Sequence, residues 1–202
     1  MNGVVLISGN GSNLQSIIDN ANSIDLTMCC VVSNKTNAFG LKRAAKAGIP
    51  CVALDETLFD SKLSFEQEII TVIDNYQAEV IILAGYMRVL SADFISKYFG
   101  KILNIHPSLL PKFPGLNTHQ RAIDASEKKH GASVHFLTEE LDGGPVIAQE
   151  FVNIDSKDNA QTLAKKVLDK EHTLYPKTIH WYTQGRLKLI DKNTATLDNK
   201  TL

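Results

Sequence analysis

Asn104 and His106 stand two residues apart in Lys101-Ile102-Leu103-Asn104-Ile105-His106-Pro107-Ser108-Leu109-Leu110-Pro111, an apolar run that passes into a proline-bounded loop. Side chains at i and i+2 of an extended chain point to the same face. An amide, which donates N–H bonds, and an imidazole, which titrates near neutrality, would therefore project side by side where a strand ends. Open α/β sheets hold their ligands at that end of the strands. A turn-capping asparagine and a hydrogen-bonded histidine would account for the same two residues, so the remainder of the chain has to decide.

A second group is suited to binding. Ser8-Gly9-Asn10-Gly11-Ser12-Asn13 follows the apolar run at 3–8 and precedes Leu14, Ile17, Ile18 and Ala21, spaced i, i+3, i+4 and i+7. Strand, glycine-rich turn and amphipathic helix is the arrangement in which backbone N–H groups at a helix start receive a phosphate. The dinucleotide fingerprint also needs a third glycine, but Leu14 occupies that position, and Ser33-Asn34-Lys35 stands where an acidic residue would hold a ribose. A nicotinamide cofactor is not expected. A tight loop donating to one terminal phosphate fits, with a plain βα turn as the alternative.

Other candidates are scattered. Gly131–Phe136 alternates with period two, which puts Ser133 and His135 on one face, either toward the cleft of His106 or simply packed. In Thr138-Glu139-Glu140-Leu141-Asp142-Gly143-Gly144-Pro145, Glu139 and Glu140 read as solvated charges, whereas Asp142 is held by turn residues between two strands. Turn chemistry alone is the other reading of Asp142. Glu171 falls near the end of a helix expected over 159–172, where carboxylates are disfavoured; that suggests an employed side chain. Met87 and Leu90 are either core or an apolar slot for a flat ligand with Arg88 at its mouth.

Positioning these residues requires alternating elements. Strands are predicted over 3–8, 26–32, 49–53, 80–84, 131–136 and 146–152. Helices are predicted over 14–21, over 39–47 closed by Gly48, from about Lys62 to Tyr76, from a Ser91 cap to Tyr98, over 120–127, and over 159–172 continuing past Pro176. The run 80–84 is apolar throughout, as a central parallel strand covered on both faces should be. An edge strand at 186–190 and a tail or edge hairpin at 191–202 complete the chain. The pattern predicts an α/β fold, an open, mostly parallel twisted sheet with helices on both faces, Rossmann-like, in a single domain.

Composition sets outer limits. The chain has 202 residues, 44% hydrophobic and 21% charged, with a net charge of −1. That is enough for one sizeable core and provides no general field for nucleic acid or a membrane surface. No leader is evident, and no run approaches the roughly 18 apolar residues of a membrane span; a cytoplasmic protein is expected. Cys29, Cys30 and Cys51 lack Cys-x-x-Cys spacing and sit in apolar strand-like runs, so buried thiols are expected, with no disulfide and no metal.

Five stretches taken together carry a resemblance: 4–14, Leu-Ala-Gly-Tyr-Met-Arg-Val-Leu at 83–90, Asn-Ile-His-Pro-Ser-Leu-Leu-Pro at 104–111, Gly-Ala-Ser-Val-His-Phe at 131–136 and Leu-Asp-Gly-Gly-Pro at 141–145. They are similar to the 10-formyltetrahydrofolate-using formyltransferase family, over about residues 3–190. Gly-Asn-Gly-Ser-Asn points to the branch that formylates 5-phosphoribosylglycinamide in purine synthesis. The resemblance implies small-molecule substrates, 10-formyltetrahydrofolate as co-substrate, and a monomer or homodimer. It also implies a phosphate-binding half over 1–100, a catalytic and folate-binding half over 101–190 and a tail over 191–202. By chemistry and position it assigns catalysis to Asn104, His106 and Asp142, with Asn104 and His106 donating to the oxyanion of a tetrahedral intermediate. Gly11, Ser12, Asn13 and Glu171 fall to the phosphoribosyl substrate. Lys62, Met87, Arg88, Val89, Leu90, Asn104, Thr138, Glu139, Glu140, Leu141 and Asp142 fall to the folate. Lys62 stands where relatives often carry arginine, and Asn117 where some carry histidine; no role follows for Asn117, His119 or His135.

Three rivals share parts of this pattern. A 10-formyltetrahydrofolate hydrolase would use water at the same site but carries an extra N-terminal domain. A methionyl-tRNA formyltransferase would need a further domain and a basic RNA-binding surface. A phosphosugar-binding protein would leave Asn104, His106 and Asp142 unexplained.

Overall fold

The computed structural model describes residues 1–202. In order the elements are β1 (Asn2–Ile7), α1 (Ser12–Asn20), β2 (Thr27–Ser33), α2 (Phe39–Lys46), β3 (Cys51–Ala53), a 3-10 turn (Glu56–Leu58), α3 (Lys62–Asn75), β4 (Val80–Leu83), α4 (Ala92–Lys97) and β5 (Ile102–His106). Then follow α5 (Thr118–Asp124), β6 (Lys129–Phe136), β7 (Val146–Asn153), α6 (Ala160–Thr183), β8 (Leu187–Asp191), β9 (Thr194–Leu197) and β10 (Lys200–Thr201). Seven strands form one mostly parallel sheet in the order β3-β2-β1-β4-β5-β6-β7, the α/β class expected from the alternation. The chain divides into two compact units, Met1–Leu103 and Asn104–Leu202.

In the first unit β1 pairs in parallel with β2 and β4, and β2 with β3. Val4–Ile7 and Val80–Ile82 are fully buried, which is why both read as unbroken apolar runs. Leu14 and Ile17 of α1 and Phe65, Ile69 and Ile73 of α3 supply helical stripes to the same core. Ser61 caps α3 in a reciprocal box with Ser64, and Ser91 caps α4 by accepting from Phe94 N–H. Gly48, at φ 71°, follows α2 in the left-handed conformation expected of that glycine. One expectation fails. Cys30 is buried, and burial pushes its thiol up to about 11, but Cys51 is exposed because β3 is an edge strand.

In the second unit β6 is buried along nearly its whole length, whereas antiparallel β7 alternates as an edge strand does. α6 is a single helix of 24 residues that runs through buried Pro176. A proline there costs about 3 kcal/mol, offset by a stripe that continues from Leu163 and Val167 to Leu174, Tyr175 and Ile179, all buried. Glu171 therefore lies mid-helix, and the argument from a disfavoured helix end does not apply. Residues 187–201 are not appended to the main sheet: β8, β9 and β10 form their own three-stranded antiparallel sheet. Its last turn uses Asp198 and Asn199 at φ 52° and 62°, the left-handed pair a tight hairpin requires.

Candidate active site

The strand period places Asn104 and His106 on one face at the end of β5, and each is engaged by a different partner. Asn104 Nδ2 lies 3.0 Å from His135 Nε2, and His135 Nδ1 lies 2.9 Å from the Phe136 carbonyl. A carbonyl can only accept, so Nδ1 carries the hydrogen. Burial of His135 lowers its pKa to about 4, so the ring is neutral near pH 7 and Nε2 is a bare acceptor. The Asn104 amide nitrogen must then donate to it, which settles the amide's orientation and leaves its second N–H available. His135 Nε2 is also 3.8 Å from Asp142 Oδ1, but a neutral ring makes no ion pair there.

His106 is set up differently. Nδ1 faces Asp142 Oδ2 at 3.4 Å, and Nε2 faces the Phe113 carbonyl at 2.9 Å. Both neighbours are acceptors, so either can take a hydrogen from the ring nitrogen that faces it. The two side chains are 8% and 9% exposed, so both are nearly withdrawn from solvent. Asp142 Oδ2 also accepts from Gly115 N–H at 2.8 Å, so the loop after β5 is bonded to both members of the pair.

Local structure explains why these side chains stay where they are. Asp142 has φ 50° in a corner closed by Gly143 N–H to Glu140 O and by Phe136 N–H to Pro145 O. A Cβ on Gly144 would lie 1.9 Å from the Phe136 carbonyl oxygen, so only glycine lets the chain return to the strand there. Ser133, on the same face of β6 as His135, donates to Ser108 O and accepts from Leu110 N–H and Gln149. It holds the Pro107–Pro111 turn, and Thr118 Oγ1 donates to Pro107 O at the turn's other end. His119 and His130 contact each other at 3.2 Å beside Phe113, and burial lowers the pKa of both, that of His130 to about 4.

The first unit holds the remaining binding candidates. Gly11 caps α1 at φ 74°, Ser12 and Asn13 open the helix, and the first internal bond runs from Gln15 N–H to Gly11 O. Buried Ser8 donates to Asn34 Oδ1 and accepts from Met87 N–H, and Ser8 N–H donates to Gly85 O, joining the ends of β1, β2 and β4. Of the apolar group, Leu90 is core, but Met87 and Val89 are 66% and 63% exposed. Arg88 is not a lone cation: Nε pairs with Glu56 at 2.9 Å. It lines, with Lys62, Phe59, Phe65, Ser61, Thr57 and Glu56, a cleft of about 270 Å³. Lys62 itself is 3.7 Å from Glu66. No three His, Cys, Asp or Glu side chains are arranged to hold a metal ion.

The second unit thus brings Asn104, His106 and Asp142 together, with Thr138–Leu141 leading into the Asp142 corner; Glu139, Glu140 and Leu141 are exposed. Glu171 is buried on α6. Sequence reasoning left His135 and Phe113 without roles. The i, i+2 pairing with Ser133 hinted at His135, but a backbone carbonyl such as that of Phe113 leaves no side-chain signature.

Comparisons with known proteins identify the family. The formyl transferase family matches residues 1–179. Phosphoribosylglycinamide formyltransferase of Escherichia coli (strain K12) is 51% identical over 204 residues, covering 100% of this chain and 96% of that one. Its counterpart from Haemophilus influenzae is 46% identical, covering 98% and 94%. Among solved structures, the phosphoribosylglycinamide formyltransferase of Coxiella burnetii superposes with a TM-score of 0.96 at 44% identity, covering 100% of this chain and 95% of that one. By motif, fold and overall similarity, this chain belongs to the formyl transferase family.

Proposed function

We propose that the protein transfers the formyl group of 10-formyltetrahydrofolate to the amine of 5-phosphoribosylglycinamide, releasing tetrahydrofolate. The observation that carries this is the paired geometry of Asn104, oriented by neutral His135, and His106, backed by Asp142. As the amine attacks the formyl carbon, charge grows on the formyl oxygen, and the second N–H of Asn104 and an N–H of His106 supply preorganised donors. His106 reaches that oxygen by exchanging the Phe113 carbonyl for it. The C–N bond to the folate then breaks. A proton leaves the former amine and one is delivered to the departing folate nitrogen, with His106 as donor and Asp142 balancing the ring's charge. An α-amino group has a reference pKa of about 8, so a fair fraction attacks unprotonated at neutral pH without strong base catalysis.

In this reading Gly11, Ser12 and Asn13 receive the substrate phosphate and Glu171 its ribose. Met87 and Val89 are assigned to the pterin, as are Thr138 to Asp142, and Lys62 and Arg88 to the anionic folate tail. Exposure of Met87 and Val89 supports an apolar ligand surface; Lys62 and Arg88 line one cleft, each beside a glutamate that an anionic tail would have to compete with. Lys62 offers a point charge, not the bidentate fork of arginine. In this reading the reaction runs in the cytoplasm, a compartment that keeps thiols reduced.

The test is to mix purified protein with 10-formyltetrahydrofolate and follow folate release with and without phosphoribosylglycinamide. Release only with the acceptor is expected. Equal release in both mixtures would mean a hydrolase, and no release in either would mean a binding protein.

A further inference from the structure

Loop Gly9–Gly11 is held from outside its own helix. Gly9 and Asn10 are exposed, yet Asn10 takes two bonds from one guanidinium on α2: Arg43 Nε donates to Asn10 O at 2.9 Å and Nη2 to Asn10 Oδ1 at 2.9 Å. Nη1 donates to Gln15 Oε1 on α1 at 3.2 Å, and the guanidinium stacks 4.9 Å from the Phe39 ring. The start of α2 is pressed against the same loop. Gly40 N–H donates to Gly9 O at 3.0 Å, and a Cβ on Gly11 would lie 2.7 Å from Gly40 Cα. A Cβ on Gly40 would in turn meet Ile7 Cδ1 at 2.4 Å.

We propose that Arg43 is a positioning residue for phosphoribosylglycinamide: it fixes Asn10, so that the amides at the start of α1 are ordered before the phosphate arrives. The inference rests on the reading that this loop receives the substrate phosphate. Each guanidinium nitrogen bonds a protein oxygen, two of them on Asn10, so Arg43 is assigned to the loop's geometry. Its partners are neutral oxygens and not carboxylates, so this is a geometric fork, which arginine can make and lysine cannot. Without it, an exposed residue of the loop must be ordered at the moment of binding, and that cost subtracts from substrate affinity. Rate at saturation is untouched, because the loop takes no part in the formyl transfer.

Arg43→Met, Arg43→Lys and Ser12→Ala are compared by steady-state kinetics in both substrates. Arg43→Met is expected to raise KM for phosphoribosylglycinamide about tenfold, with kcat and the folate KM unchanged, and Arg43→Lys to recover little of the loss. Wild-type constants in Arg43→Met alongside a raised KM in Ser12→Ala would overturn the clamp and leave the phosphate loop standing. If neither variant moves that KM, the phosphate reading fails and the inference with it. Full recovery by lysine would overturn the clamp in favour of plain charge, and an equal fall in kcat or rise in folate KM would overturn it in favour of general damage.

Discussion

His135 and His106 are both buried imidazoles near Asp142, but they present opposite faces to the chemistry. His135 donates to the Phe136 carbonyl and, kept neutral by burial, accepts from Asn104; it orients a donor without exchanging protons. His106 sits between a carboxylate and a carbonyl, and in the proposed mechanism it carries the mobile proton. His135→Leu should therefore leave substrate KM values near wild type while kcat falls by up to about 10²-fold, the scale of losing one oxyanion donor; an unchanged kcat would remove His135 from the site. Asp142→Asn should fold normally and lose about 10²–10⁴-fold in kcat, since the ring loses its charged partner; near-wild-type turnover would exclude Asp142. The spacing of Asn104 and His106 was legible because a strand repeats every two residues. The orientation of Asn104 was not, because it depends on a tautomer set by the Phe136 main-chain carbonyl, and a carbonyl has no side-chain signature.

At the scale of elements, the corner at 140–145 determines where Asp142 points. Gly144→Ala would drive a methyl group into the Phe136 carbonyl, and overpacking of that kind costs about 1–3 kcal/mol. The midpoint of thermal unfolding should drop by several degrees and kcat should fall with it, because the corner must open. A variant with wild-type melting and turnover would show that the corner has slack. Elements whose signals are local were legible: the Ser91 cap, Gly48 after α2, and the apolar runs of β1 and β4. Elements decided by tertiary burial were not. Cys51 reads as a buried thiol until β3 is seen to be an edge.

For the whole molecule, the buried histidines couple stability to pH. Burial lowers the pKa of His135 and of His130 from 6.5 to about 4, so between those values the unfolded chain binds protons that the folded chain refuses. Their stabilisation is complete above pH 6.5 and is lost as pH falls toward 4, by roughly 3 kcal/mol for each ring. Denaturant unfolding should show stability falling through that window, and replacing His130 with a neutral isostere such as Gln should flatten the slope; a flat wild-type profile would contradict the burial. At this scale the α/β alternation predicted the sheet, whereas the separate β8–β10 sheet was not legible because its strands are short and weakly patterned. The central claim is that the formyl carbon passes to an amine and not to water. Its most direct test is to supply 10-formyltetrahydrofolate labelled with ¹³C in the formyl group, together with phosphoribosylglycinamide, and to follow the label by NMR. The signal should appear as a formamide on the phosphoribosyl product; its appearance as free formate would contradict transfer to the amine.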